Sequence, residues 1–179
     1  MNILLHICCG PCSVGTLKEL NREEHKITGY WYNPNIHPYI EYKNRLGALK
    51  EYAEKINLEL VVDDTYGLKP FVRMVADDLD NRCSKCYTDR LLATAKKAKE
   101  LGYDAFTTTL LVSPYQQHEA IKEKAYQIAK EVGIEFYYVD PRPYFRIGNN
   151  EAREMGLYMQ KYCGCVFSEA ERYLKKKKS

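Results

Sequence analysis

Short apolar runs alternate with stretches of helical spacing from Ile3 to Val139, and this alternation limits the fold more than any other feature. Ile3-Leu4-Leu5-His6-Ile7 ends at Cys8-Cys9-Gly10-Pro11-Cys12, after which Val14, Leu17 and Leu20 recur at helical intervals. That order reads as strand, tight turn and helix. Further strands are expected over 27–32, 58–62, 104–109 and 134–139. Helices are expected over 39–56, from Phe71 through Leu79, over 84–101 and over 118–132. Strands that are apolar throughout, each followed by a helix, predict an α/β fold: a parallel sheet with helices on both faces. Such sheets bind ligands beyond the carboxyl ends of their strands. The first cysteine turn, Asn33-Pro34-Asn35 and Thr108-Thr109 are all predicted at that edge.

The 179 residues are 45% hydrophobic, enough to bury one core, and one catalytic domain over 1–179 is expected. No apolar run is long enough to span a bilayer, and Met1 to Cys9 lacks the charged start of a secretory signal, so a cytoplasmic protein is expected. The formal charge of +3 says little about nucleic acid. Its distribution says more: a basic tail closes the chain at about 174–179. It is either a solvated, frayed end or a phosphate-tracking arm that weakens with salt.

Seven cysteines would suit a disulfide scaffold in a short, secreted chain, but this chain is read as neither and the count is odd, which favours metal or thiol redox chemistry. All seven fall in three tight groups. Cys8, Cys9 and Cys12 occupy the first strand-to-helix turn, where free N–H groups and the helix dipole favour thiolates. Cys83 and Cys86, three apart, share one side of a helix and can hold one ion or one cluster edge. Cys163 and Cys165 flank Gly164, a reversible thiol pair or further ligands. Structural zinc usually knits small loops, and this chain has a full core, so iron is preferred over zinc.

Other candidates surround these groups. Asp89, three residues after Cys86, is a possible oxygen ligand or proton donor, or else a solvated helix carboxylate. Tyr30, Tyr32, Tyr115 and Tyr144 are candidates to stack on an extruded base, and Arg142 and Arg146 to hold phosphates. Asn33, at the strand edge, joins Tyr32, Tyr115, Arg142 and Arg146 in the candidate substrate site. His6 reads as a satisfied core histidine, while His37 and His118 are candidate proton donors.

His6-Ile7-Cys8-Cys9-Gly10-Pro11-Cys12-Ser13, Tyr30-x-Tyr32-Asn33-Pro34-Asn35-Ile36-His37-Pro38, Arg82-Cys83-x-x-Cys86-Tyr87-x-x-Arg90-Leu91, Thr107 to Gln116, Asp140-x-Arg142 and Tyr162-Cys163-Gly164-Cys165 together resemble the epoxyqueuosine reductases of the QueH type. The resemblance spans nearly the whole chain. It implies an adenine-nucleotide hydrolase-like, PP-loop-related three-layer sandwich, in which Cys8 to Ser13 stands where ATP-using relatives carry a pyrophosphate loop. It implies an oxidoreductase that removes the epoxide oxygen of epoxyqueuosine at the tRNA wobble position, without cobalamin, to give queuosine.

The implied cofactor is a 4Fe-4S cluster, with room for an additional iron ion. Cys9, Cys83 and Cys86 are expected to supply three cluster ligands, with Cys8 and Cys12 completing the cluster or binding the neighbouring metal. Catalytic roles fall to Cys8, Cys12, Asp89, Cys163 and Cys165. The partners are tRNA and an electron donor that the sequence does not identify. Two alternatives remain: a cluster-dependent tRNA sulfurtransferase, disfavoured by the missing pyrophosphate loop, and a non-enzymatic zinc-stabilised binding module, disfavoured by the expected core.

Overall fold

The structure is a computed structural model that describes residues 1–174, so all but the first residue of the expected basic tail lies outside the described residues. The chain runs through β1 (Asn2–His6), α1 (Gly10–Glu19), β2 (Lys26–Trp31), α2 (Tyr39–Lys55), β3 (Leu60–Val62), α3 (Leu68–Val75), α4 (Arg82–Glu100), β4 (Ala105–Thr108), α5 (His118–Val132), β5 (Glu135–Phe136), α6 (Phe145–Glu154) and α7 (Val166–Tyr173). The five strands are all parallel in the order β3-β2-β1-β4-β5. Because β1 lies in the middle, the chain turns one way to β2 and the other way to β4. The crevice between the ends of β1 and β4 is therefore the switch point where such sheets bind ligands.

The apolar run of β1 is explained by layers on both sides. Ile3 and Leu5 pack with residues of α1, α2 and α6, whereas Leu4 packs with α4 and α5; all three are fully buried. Burying each such side chain stabilises the fold by about 1.5–3 kcal/mol. The expected three-layer α/β sandwich is what forms. No helix among the described residues is long and apolar enough to cross a membrane.

Element limits differ from expectation where side chains reach an edge. The last strand pairs only over Glu135–Phe136, because it borders a β4 that itself gives way to a tight turn over Thr109–Val112. The helix expected through Leu79 ends at Val75, leaving Leu79 exposed. The helix expected from Ser84 starts at Arg82, which puts Cys83 in its first turn.

Helix α6, which the sequence pattern does not announce, crosses α1 at two glycines. A Cβ on Gly148 would lie 2.6 Å from the Gly15 nitrogen, and one on Gly15 would lie 2.9 Å from the Tyr144 carbonyl oxygen. This close approach brings the C-terminal quarter of the chain over the first cysteine turn. Gly148→Ala should therefore force the helices apart and cost about 1–3 kcal/mol. Thermal unfolding should show a Tm lower by roughly 2–10 °C; an unchanged Tm would refute the crossing.

Candidate metal centre

The cysteine turn is built by the way α1 begins. Cys9 is its N-cap residue, extended at φ −170° and ψ 162°, and its Sγ accepts the Cys12 N–H at 3.3 Å, with Pro11 in the first turn. A sulfur here does the work of the usual serine or aspartate oxygen. Cys8 is fixed from the neighbouring strand: the Thr109 hydroxyl accepts the Cys8 N–H at 3.0 Å and donates to Cys8 Sγ at 3.2 Å. The sulfurs of Cys8, Cys9 and Cys12 all lie within 4.8 Å of one another, close enough to share a metal ion.

The other two groups face the same space. A cavity of about 960 Å³ is lined by Cys8, Cys12, Cys83, Cys86, Cys163 and Cys165. Three helix starts contribute to this wall: α1, α4 with Cys83 and Cys86, and α7, where Cys165 is the N-cap and its Sγ accepts the Ser168 N–H at 3.3 Å. Helix N-termini favour negative charge, which offsets part of the cost of burying thiolates there. Cys83 and Cys86 lie outside the tight trio. A multi-metal cluster, bound at its corners, is held by sulfurs set wider apart than those on a single ion.

Protonation follows from these contacts. Donation from Cys12, Cys9 and Thr109 holds Cys8 well below the ordinary thiol range, although burial opposes it. Burial pushes Cys9 up, and the hydrogen bond with Cys8 does the same to Cys12. Of the three, Cys8 is the thiol most readily ionised. Burial pushes Cys86 up to about 12 and raises Cys83.

The donor set fits a soft metal with thiolate preference. The surrounding polar groups point the same way. Eight buried side-chain N or O atoms lack a hydrogen-bond partner among the described residues; five belong to Asn35, Arg82, Arg90 and Gln160, which line the cavity. Buried polar groups are rarely left unpaired, so that concentration marks a space built for an occupant.

A family model described as epoxyqueuosine reductase QueH matches residues 3–171. The chain belongs to the QueH family. A relative named epoxyqueuosine reductase QueH, from Dehalococcoides mccartyi, is 36% identical over 171 residues, covering 96% of this chain and 94% of that one. One from Thermotoga maritima is 32% identical and covers 95% and 91%. One from Helicobacter pylori is 38% identical over 93% of this chain but only 49% of its own length. Among solved structures, a deacetylase of the teicoplanin biosynthesis pathway superposes with a TM-score of 0.44 at 10% identity, over 86% of this chain and 83% of that one.

The predicted site residues divide into two sets. Tyr115 stands at the cavity mouth, 86% exposed, with its ring edge-on to Phe145 at 6.0 Å. Tyr32 and Asp89 do not line the cavity; the Tyr32 hydroxyl donates to Asp89 Oδ2 at 3.2 Å, and burial raises the Asp89 carboxyl. Asn33 is fully buried, donating to the Ile7 carbonyl at 2.8 Å and lying 3.2 Å from His6 Nε2. Arg142 is clasped by its neighbour Asp140 at 2.6 and 2.8 Å, and it and Arg146 lie outside the cavity lining.

His6 is a bonded core histidine, 2.9 Å from the Thr108 hydroxyl. His37 and His118 are likewise held by the scaffold, at the Pro34 carbonyl and the Tyr138 hydroxyl.

Three residues not singled out in the sequence organise the site. Gln160 Nε2 donates to Cys9 Sγ at 2.9 Å. Gln116 accepts from the Tyr87 hydroxyl at 2.6 Å and donates to Cys163 Sγ at 3.1 Å. Arg45, buried in α2, donates to Glu41 at 2.7 Å and to the Cys163 and Tyr162 carbonyls at 2.7 and 2.8 Å, pinning the last cysteine loop. Its i,i+4 pairing with Glu41 was visible as spacing, but nothing in the spacing revealed the loop. Arg45→Met would leave Glu41 buried without its partner and should cost about 3–5 kcal/mol. Chemical denaturation should register that loss; full stability would show that the loop is held by other means.

Proposed function

We propose that this chain reduces epoxyqueuosine in tRNA to queuosine, independently of cobalamin, with a 4Fe-4S cluster and a further iron held by its cysteines. The observation that carries this reading is the convergence of six cysteines on one cavity whose mouth is aromatic and cationic. Family membership supports the same chemistry.

The reaction takes up two electrons and two protons: both epoxide C–O bonds break, the carbons become an alkene, and the oxygen leaves as water. The cluster, when bound, supplies the electrons. Cys9, Cys83 and Cys86 would hold three of its corners, and Cys8 and Cys12 would complete it or hold the further iron. Cys163, exposed at the cavity, and Cys165, buried beside it, would relay electrons from an external donor as a reversible thiol pair or serve as further metal ligands. A proton is kept at the Tyr87 oxygen on the cavity wall, since burial pushes that phenol up to about 12. Asp89, on the same helix but outside the cavity lining, is proposed as the source of a second, reaching the cavity through water.

At the mouth, Tyr115 and Phe145 form an edge-on pair suited to grip an extruded base. Arg153, Lys161 and Arg172 line the same cavity and form no ion pair with a carboxylate among the described residues, leaving them free for phosphates. Arg142 and Arg146 would act further out along the RNA.

The test is turnover by protein purified without oxygen: an anticodon stem-loop carrying epoxyqueuosine, a chemical reductant, and mass spectrometry of the released nucleosides. Queuosine should form in a protein-dependent manner; unchanged epoxyqueuosine with cluster-loaded protein would refute the reading. Tyr115→Ala should raise KM by roughly tenfold, as loss of one base-stacking contact of about 1–3 kcal/mol requires, and leave kcat within about twofold. Cys83→Ser or Cys86→Ser should abolish both iron content and turnover, and retained iron with full activity would remove them from the ligand set.

A further inference from the structure

Arg90 is a charged side chain inside the protein, with 2% of its surface exposed. It lies on α4 four residues after Cys86 and seven after Cys83, on the helix face that carries both sulfurs toward the cavity. Neither Nε nor Nη2 has a hydrogen-bond partner among the described residues. The carboxylate next to it in sequence, Asp89, is engaged by the Tyr32 hydroxyl instead. Arg45 and Arg82, the other arginines of the inner wall, are paired with Glu41 and Glu171.

A guanidinium cannot lose its charge in a protein, and a buried charge without a counter-charge is strongly disfavoured. The anion must therefore come from the cavity. The thiols of Cys86, Cys163 and Cys8 are the groups that would supply it once a metal deprotonates them, and burial together with the Arg90 field lowers His6. A phosphate is the poorer candidate, because the cations without carboxylate partners among the described residues, Arg153, Lys161 and Arg172, stand on the cavity wall for it, while Arg90 is buried on the helix face of Cys83 and Cys86.

We propose that Arg90 is the counter-cation of the metal–thiolate group, a positioning residue that stabilises the anionic cluster and eases its reduction. The proposal rests on the reading that these cysteines hold a metal. When an electron enters, the negative charge grows beside a fixed guanidinium, which favours the reduced form. Lysine keeps the charge, whereas methionine keeps the length and apolar stem without it.

The experiment compares wild type, Arg90→Met and Arg90→Lys, each purified without oxygen, for iron and sulfide content and for midpoint potential by anaerobic spectroelectrochemistry. In Arg90→Met, reduction should be disfavoured at least tenfold, a shift of about 59 mV to lower potential for a one-electron couple. Arg90→Lys should stay near wild type. Cobalt(II) titrated into metal-free protein, followed by its thiolate absorption, should bind at least tenfold more weakly to Arg90→Met than to Arg90→Lys.

Loss of iron, or failure to fold, in Arg90→Met alone would equally support a required charge. An unchanged potential and unchanged cobalt affinity in Arg90→Met would overturn the proposal, as would equal loss in both variants. A wild type without iron and sulfide would count against the functional reading, and the cobalt titration would then decide the role of Arg90 by itself.

Discussion

Thiolates inside a protein need positive potential around them, and that requirement explains more of this molecule than any other. The starts of α1, α4 and α7 each deliver cysteine sulfur to one cavity, so backbone N–H groups face the negative charge. Cys9 and Cys165 cap their helices with sulfur rather than oxygen, accepting the N–H groups of Cys12 and Ser168. Arg90 adds a full charge within the protein, where water cannot screen it. A sheet with its switch point at β1 and β4 is what allows the first of these helices to start beside Thr109.

The cavity is closed by the end of the chain, and its closure depends on contacts far apart in sequence. Gly15 and Gly148 let α6 lie directly on α1, after which Gln160 reaches Cys9. Arg45 then holds the Tyr162 and Cys163 carbonyls from α2. Gly164, with φ +156°, fits between Asn35, Ile36 and Arg45, where a Cβ would come within 3.1 Å of the Asn35 amide. Cys163 and Cys165 thereby flank a tight bend and both line the cavity, one exposed and one buried.

The legible parts were those encoded locally. Alternating apolar runs gave the sheet and the helices over most of the first 139 residues, and cysteine spacing located the site at the end of β1. Helices α6 and α7 were not visible, because both are short and lie after the last strand, outside the strand–helix alternation. Arg45 and Gln160 act through partners 117 to 151 residues away and Arg90 through the cavity, and spacing carries no signal for that. Tyr32, Asn33 and Arg142 are at or near the expected sheet edge, but each is bound to a neighbour rather than turned to the cavity. Edge position follows from the strand pattern; side-chain direction does not.

The central claim is that these cysteines hold an iron–sulfur group. It is tested most directly by measuring metal and acid-labile sulfide, with an electronic spectrum, on protein purified without oxygen. Iron with matching sulfide and a broad visible absorption is the predicted result. Zinc without sulfide would contradict it, leaving the cavity as a structural metal site.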